Sequence, residues 1–482
     1  MAQVPKSIFR AYDIRGLATE WKGAPPQLTT EVALYVGKAY GTYCQRTFGM
    51  DRVFVGSDNR LTSAQLKNAV IAGILSTGMH VTDIGGVMTP SVYFAAASYS
   101  HSAEGGKIGG GIQVTGSHLD LQYNGIKMAY GKLALSGDQI QSLLHLITED
   151  DFNIGLGQLT YDFDLPKRHM QVIAGKVKLG SRKLKVVVDA GNGLSGSFMP
   201  DVYESLGIEV VRLYCEPDGT FPNHLPNPED TSTTKDLEAK VVEVGADMGI
   251  AFDGDADRCG IIDEHGHHIA ADRLLALLSR DLLKRAPGAK VVFDVKSSQA
   301  LADVIKENGG VPVMWKAGHS LMKAKINEIG ALIGGEVSGH LFIGEDYYGF
   351  DDAGLVSLKV LEIFSKTEQT VSGAFDTIPK LLATPEIIMS APDDVKFTII
   401  DTIKNKLSSE CQVIDVDGAR AVFPDGWGLV RASNTQPAIT MRFEARNNAQ
   451  IVEYMKKFEA LLDDYPMVER TKLQEQIAAF SN

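Results

Sequence analysis

The 482-residue chain lacks any run approaching ~18 uncharged apolar residues, which excludes a membrane-spanning helix. Met1 to Gly16 carries Lys6, Arg10, Asp13 and Arg15 and no apolar core, so no signal peptide is expected. Cysteine is scarce. Cys44, Cys215, Cys259 and Cys411 are scattered, without a CxxC pair or zinc spacing, and read as buried thiols of a reducing, cytoplasmic compartment. Basic charge is in deficit: 47 Lys and Arg against 60 Asp and Glu leave a net charge of −13. That balance excludes broad binding to a nucleic-acid backbone but leaves room for a local cationic pocket that takes a small anion. Neither nucleic acid nor membrane is expected as a partner. Low-complexity linkers are also missing, so the domains are expected to pack closely. A 44% hydrophobic share beside 22% charged residues excludes a disordered or fibrous chain. At ~150 residues per domain, the length calls for several domains.

Glycine is what the chain has in quantity. Many of the 48 glycines follow short apolar runs, where ligand loops form in α/β proteins. Three stretches share one rhythm of strand, helix, strand, helix, strand. The first runs from Arg52-Val53-Phe54-Val55-Gly56 through a helix over Ala64–Ser76 and a strand near Val81–Ile84 to Gly111-Ile112-Gln113-Val114. The second runs from Lys185–Val188 through Glu209–Tyr214 to Met248–Phe252. The third runs from Lys290–Phe293 through Val311–Trp315 to Ala331–Ile333. Short apolar strands alternating with helices predict mainly parallel sheets covered on both faces. From about Pro385 the pattern becomes strand, helix, several short strands and a final helix, as in an α+β domain. The fold class is therefore α/β: three related mixed or parallel α/β domains over 1–163, 164–267 and 268–380, then a smaller α+β domain over 381–482.

Ligands of open α/β sheets bind beyond the carboxyl ends of strands. Each third strand is followed there by a chemically loaded loop. Asp253, Asp255 and Asp257 alternate with small residues, and three carboxylates so close repel one another unless a cation such as Mg2+ neutralises them. An EF-hand is excluded because its sixth position would be Arg258 instead of glycine; a solvated acidic turn is the competing reading. Ser117, beside His118 and ten residues before Lys127, stands at a strand end as a candidate nucleophile or phosphate carrier. Thr-Gly-Ser-His-Leu is not the GxSxG elbow of hydrolases, and an ordinary turn serine remains the plain alternative. Glu336, Ser338 and His340 lie in a glycine-rich loop, with Lys316 and His319 on the loop before it, and can pair with sugar hydroxyls. Arg431-Ala432-Ser433-Asn434-Thr435 joins a guanidinium to two hydroxyls and backbone amides, a combination suited to phosphate. A metal triad, a nucleophile, a hydroxyl-reading loop and a phosphate cradle together point to phosphoryl transfer on a phosphorylated sugar or polyol.

FRAYDIRG, TGSH…YNGIK, DGDADR, GEVSGH and RASNTQP occur in this order, supported by FPNHLPNPED, VFDVKSS, VMWKAGHSLMK and GWGLVRASNT. This series resembles the α-D-phosphohexomutase superfamily, in particular its bacterial phosphomannomutase/phosphoglucomutase group, over essentially the whole chain. The resemblance implies four domains around a central cleft, the fourth like the TATA-box-binding protein. It implies Ser117 as the phosphoserine and Mg2+ held by Asp253, Asp255, Asp257 and a phosphoserine oxygen. Glu336 and Ser338 would contact sugar hydroxyls, and Arg431, Ser433, Asn434 and Thr435 the non-reacting phosphate. Arg15, His118 and Lys127 match acid/base and charge-stabilising positions. Arg258, Lys296, His319, His340 and Tyr12 match further cleft positions. The substrates so implied are hexose phosphates of mannose and glucose, with glucose 1,6-bisphosphate as activator and a monomer or homodimer as the working state.

One departure matters. The family usually has Asn-Pro after the serine and histidine, whereas this chain has Leu119-Asp120. Losing proline removes a φ restraint from the loop, and Asp120 adds negative charge near a phosphate site. Ala256, where glycine is common, is expected to be tolerated. The competing readings are a phosphoglucosamine mutase, a weakly catalytic sugar-phosphate-binding paralogue, and a phosphatase built on the aspartate cluster.

Overall fold

Short runs of β-branched and apolar residues become the buried strands of four sheets. The computed structural model describes residues 4–102, 107–433 and 437–481. In the first sheet Arg52–Ser57 pairs in parallel with His80–Gly86 on one side and Gly110–Val114 on the other. Leu159–Tyr161 extends one edge, and Tyr123–Tyr130 with Ile14–Leu17 forms the other. The second sheet is built on Lys185–Asp189, parallel to Glu209–Leu213 and Met248–Phe252. The third is built on Lys290–Asp294, parallel to Val311–Trp315 and Ile333–Gly335. The fourth is antiparallel throughout, with Ala438–Ala445, Gly426–Ala432 and Ala419–Phe423 at its centre. The helices Lys396–Ser408, Asn448–Ala460 and Thr471–Ser481 join its core.

The first three sheets depart from an all-parallel pattern at one repeated place. The strand that ends at each loaded loop is followed by an antiparallel neighbour: Gly110–Val114 by Tyr123–Tyr130, Met248–Phe252 by Cys259–Ile262, and Ile333–Gly335 by Leu341–Ile343. Tyr123–Tyr130 escapes the hydrophobic pattern because it buries Asn124 and Lys127, polar residues that belong to the site. Each functional loop is thus anchored at both ends in one sheet.

Packing is uneven along the chain. A single apolar core runs through the second and third sheets and takes in Met88 from the first unit. Phe350 and Leu165 join the first unit's Phe54, Tyr93 and Phe94 in another cluster. The fourth sheet has its own core, and the apolar seam joining it to the third unit consists of Val295, Trp427 and Leu429 with Met314 and Val416. Among the described residues no helix is long and apolar enough to cross a membrane.

Candidate active site

The serine loop is built from two strand ends. Asp58, just past Arg52–Ser57, accepts hydrogen bonds from Thr115 Oγ1 at 2.7 Å and Gly116 N at 3.1 Å, and from Ser63 Oγ. Arg60, 3% exposed, donates to the carbonyls of Ser117 (2.9 Å), Leu119 (2.5 Å), Asp120 (2.9 Å) and Tyr123 (3.2 Å). Its Nε lies 3.4 Å from Asp58. Four carbonyls on one guanidinium fix this loop without a proline, and the Asp120 side chain points to solvent. The loop that departs from the family pattern at Leu119-Asp120 is thus held at four carbonyls by one buried guanidinium. Ser117 itself stands at φ 49°, a left-handed conformation that costs a non-glycine residue on the order of 1–2 kcal/mol and is typical of functional turns.

Ser117 Oγ meets the acidic loop. It donates to Asp253 Oδ2 at 2.9 Å and lies 3.2 Å from Arg258 Nη2 and 3.1 Å from His118 Nδ1. Arg258 Nη2 also contacts His118 Nδ1. Lys127 Nζ donates to Asp255 Oδ2 at 2.7 Å and to Asp257 Oδ2. Burial, reinforced by the repulsion of Asp257 and Asp255, raises Asp253 well above the usual carboxylate range. Burial opposes ionisation of Asp257 as well, but Lys127 and His340 outweigh it and bring that residue down to about 2. The ligand atoms of the three aspartates lie within 4.8 Å of one another. Asp255 Oδ1 and Asp257 Oδ1 make no hydrogen bond among the described residues. Hard oxygen donors converging with unused acceptor capacity fit a divalent cation such as Mg2+. Ala256, within this loop, has φ 56° and is fully buried, so the alanine carries backbone strain that a glycine would not.

Two cleft histidines stack behind the triad, the His319 and His340 rings 5.4 Å apart. His340 Nδ1 lies 2.9 Å from Asp351 Oδ2 and 3.6 Å from Asp257 Oδ1. Lys323 Nζ holds the other Asp351 oxygen at 2.7 Å and lies 3.3 Å from His319 Nδ1. Burial, then the positive Lys323, push His319 far below its ordinary value; burial, then Arg258 and Arg15, do the same to His118. Both imidazoles are neutral at pH 7. Asp257, His340 and Asp351 also cluster closely enough for a metal, but the Lys323 ammonium already neutralises Asp351.

Glu336 Oε1 accepts from Gly318 N at 2.9 Å, and Ser338 Oγ lies 3.3 Å from Glu336 Oε2. Arg258 Nη1 reaches Ser338 O at 3.4 Å, tying the acidic loop to this one. Tyr12 closes the cleft from the first unit, its OH donating to Ala317 O at 2.9 Å and its ring edge-on to His319. Gly318, at φ 132°, permits that approach, since a Cβ there would stand 2.5 Å from the Tyr12 ring. Arg15 Nε pairs with Asp13 at 2.6 Å and feels the charges of Asp255 and Asp257. From the fourth unit, Arg431 lies 3.1 Å from Asp417 and 4.0 Å from Glu386, and Lys296 of the third unit lies 3.3 Å from the same Glu386. Asp417 also accepts from Ala317 N at 3.1 Å. Ser433 O accepts from Lys396 Nζ at 2.7 Å. Asn434 and Thr435 lie outside the described residues.

Asp58, Arg60, Asp351, Lys323, Asp417 and Glu386 were not singled out from the sequence. Asp58-Asn59-Arg60 carried a usable signal, since it follows a strand end just as the three loaded loops do. Asp351 and Lys323 carried none, because a charge inside or before a helix reads as a solvated face until burial is known.

Family models described as phosphoglucomutase/phosphomannomutase alpha/beta/alpha domains I, II and III match residues 6–154, 167–266 and 270–381, and that of the C-terminal domain matches 388–461. The chain is 42% identical over 451 residues to a phosphomannomutase/phosphoglucomutase of Pseudomonas putida, covering 93% of this chain and 94% of the relative. It is 40% identical over 471 residues to a phosphoglucomutase of Neisseria gonorrhoeae, covering 97% and 99%. The crystal structure of a phosphoglucomutase/phosphomannomutase family protein from Burkholderia thailandensis superposes with a TM-score of 0.87 at 38% identity, over 96% of this chain and 98% of that one. With all four domain models matched in order, the chain belongs to the phosphoglucomutase/phosphomannomutase family.

Proposed function

We propose that this chain is a phosphohexomutase interconverting the 6-phosphates and 1-phosphates of mannose and glucose through a phosphorylated Ser117 and a bisphosphorylated sugar. The observation that carries the reading is the company of Ser117 Oγ: Asp253 of the acidic triad at 2.9 Å and the Arg258 guanidinium at 3.2 Å. A nucleophile flanked by a metal-fitting triad and a fixed cation suits phosphoryl transfer. Four units, 1–163, 164–267, 268–380 and 381–482, would each supply one loop of the cleft. All these residues come from one chain, so a monomer suffices. The four free cysteines suit a reducing, cytoplasmic setting.

In the first half-reaction the free hydroxyl oxygen of the sugar phosphate attacks the phosphorus of phosphoserine. The P–Oγ bond breaks, and the hydroxyl proton passes to a cleft base. Neutral His118 beside Oγ is the group placed to take it. After the bisphosphate turns over, Ser117 Oγ attacks the other phosphorus, and the departing sugar oxygen regains a proton. Arg15, Lys127 and Arg258 offset the charge that spreads over the phosphoryl oxygens. Asp253, Asp255, Asp257 and a serine-phosphate oxygen would hold Mg2+, which when bound supplies further neutralisation there. Glu336 and Ser338 would read sugar hydroxyls, with Tyr12, Lys296, His319 and His340 around them. Arg431, Ser433, Asn434 and Thr435 would grip the non-reacting phosphate. Glucose 1,6-bisphosphate would recharge a dephosphorylated Ser117 by giving it one phosphoryl group.

The clamp of Arg60 on the serine loop favours an active mutase over a weakly catalytic paralogue. The test is conversion of mannose 1-phosphate, glucose 1-phosphate and glucosamine 1-phosphate with Mg2+ and catalytic glucose 1,6-bisphosphate. Turnover of the first two is expected, with phosphate on Ser117 by mass spectrometry and a fall of about 10⁴-fold or more in Ser117→Ala. Turnover surviving Ser117→Ala would remove the serine from the mechanism. A preference for the glucosamine ester would move the reading to a phosphoglucosamine mutase.

A further inference from the structure

The acidic triad belongs to the second unit, yet the orientation of its middle carboxylate is set from the first. Thr89 opens the helix Thr89–Ser102 and is fully buried. Its backbone N–H donates to Asp255 O at 2.9 Å, and its Oγ1 donates to Asp255 Oδ2 at 2.5 Å. Lys127, also of the first unit, donates to that same Oδ2 at 2.7 Å. Two donors from the first unit occupy Oδ2 and leave Oδ1 without a hydrogen bond among the described residues, on a carboxylate that clusters with those of Asp253 and Asp257. The segment that delivers Thr89 is itself fixed. Val87 N donates to Ser57 O at 2.9 Å, Val87 O accepts from Gln113 Nε2 at 2.7 Å, and Met88 inserts into the core of the second and third units.

From this geometry we infer that Thr89 is a positioning residue for the divalent cation: its hydroxyl locks the Asp255 carboxylate so that one oxygen is held by the protein and the other is presented to the metal. The inference rests on the triad being a metal site. Partners that orient a metal's carboxylate ligands fix its geometry, and their loss costs about 10–100-fold in metal affinity. The hydroxyl adds to what Lys127 supplies, because the buried ammonium is shared between Asp255 and Asp257 whereas Thr89 Oγ1 bonds Asp255 alone. The assignment also gives a reason why the cation site is complete only when the first and second units are docked.

The test titrates Mn2+ by electron paramagnetic resonance into the metal-stripped full chain, as wild type, Thr89→Ser, Thr89→Val and Thr89→Ala, alongside melting temperatures in chelator. Expected are one saturable Mn2+ in wild type, affinity within twofold in Thr89→Ser, and a loss of about tenfold or more in Thr89→Val and Thr89→Ala. The Mg2+ concentration for half-maximal activity should rise in parallel. Thr89→Val keeps the shape and removes the hydroxyl, and Thr89→Ala serves if the valine variant does not fold. Affinity within twofold of wild type in a folded variant lacking the hydroxyl overturns the positioning role. Loss in Thr89→Ser equal to that in Thr89→Val overturns it also, because a variant that keeps the hydroxyl would then hold the metal no better than one that lacks it. Absence of saturable Mn2+ in wild type is a different result, which removes the metal reading itself.

Discussion

The serine centre and the phosphate cradle handle charge in opposite ways. At the serine centre, Asp58, Arg60, Lys127, Asp253, Asp255 and Asp257 are all buried and bound to one another across two units that share apolar packing. At the cradle, Arg431 and Lys296 meet Asp417 and Glu386 across the seam between the third and fourth units, where the fourth keeps a core of its own. The first arrangement is preorganised, as a site must be when charge develops on atoms that pass through one fixed point. The second would open and re-form if, as proposed, the cradle takes a substrate in two orientations. On the proposed mechanism, rigidity would sit where the bond breaks and exchangeable contacts where the substrate is carried.

Arg60→Gln attacks the rigid half and has the largest expected effect. It leaves Asp58 buried without its charge partner and releases four carbonyls, so the first calorimetric transition should drop, with a loss of about 3–5 kcal/mol and a fall in kcat of more than about tenfold. An unchanged transition would mean that the serine loop does not depend on the clamp. Arg431→Ala attacks the exchangeable half. Loss of a charge-assisted phosphate contact of about 1.5–3 kcal/mol should raise KM roughly 10–100-fold and change kcat little. A kcat loss equal to the rise in KM would erase the distinction between the two regions. Replacing Leu119-Asp120 by Asn-Pro sharpens the comparison and has the smallest expected effect. With Arg60 already holding the carbonyls of Ser117, Leu119, Asp120 and Tyr123, kcat/KM should change by less than about twofold. A gain of tenfold would show that the clamp is an incomplete substitute for proline.

Much of this was legible in the sequence, and the limits have physical causes. Short apolar runs ending in Ser117, Asp253 and Glu336 disclosed both the sheets and the three loops, because strand burial and ligand binding share the same strand ends. The return strand Tyr123–Tyr130 was hidden because Asn124 and Lys127 interrupt the apolar pattern at positions that are nonetheless buried, and Cys259–Ile262 and Leu341–Ile343 because they are only four and three residues long. Thr89 was hidden for another reason. A threonine before a proline reads as a helix start, and its service to Asp255, 166 residues further along the chain, exists only after two units have docked. Ala256 gave a partial signal: the substitution for glycine was visible, but not the left-handed backbone it has to adopt.

The carboxylates resting on Arg431 and Lys296 have a consequence for what the cradle admits. An anion binding to Arg431 and Lys296 as proposed would compete with Asp417 and Glu386, which lie against those cations. Chloride, acetate or bicarbonate would exchange one unit of charge for another and gain little. A phosphate ester brings nearly two charges and three acceptor oxygens, so it alone shifts the exchange. A cradle working in this way would be a valence filter, and its discrimination should fade below about pH 6, where the ester takes up a proton and becomes one more monoanion.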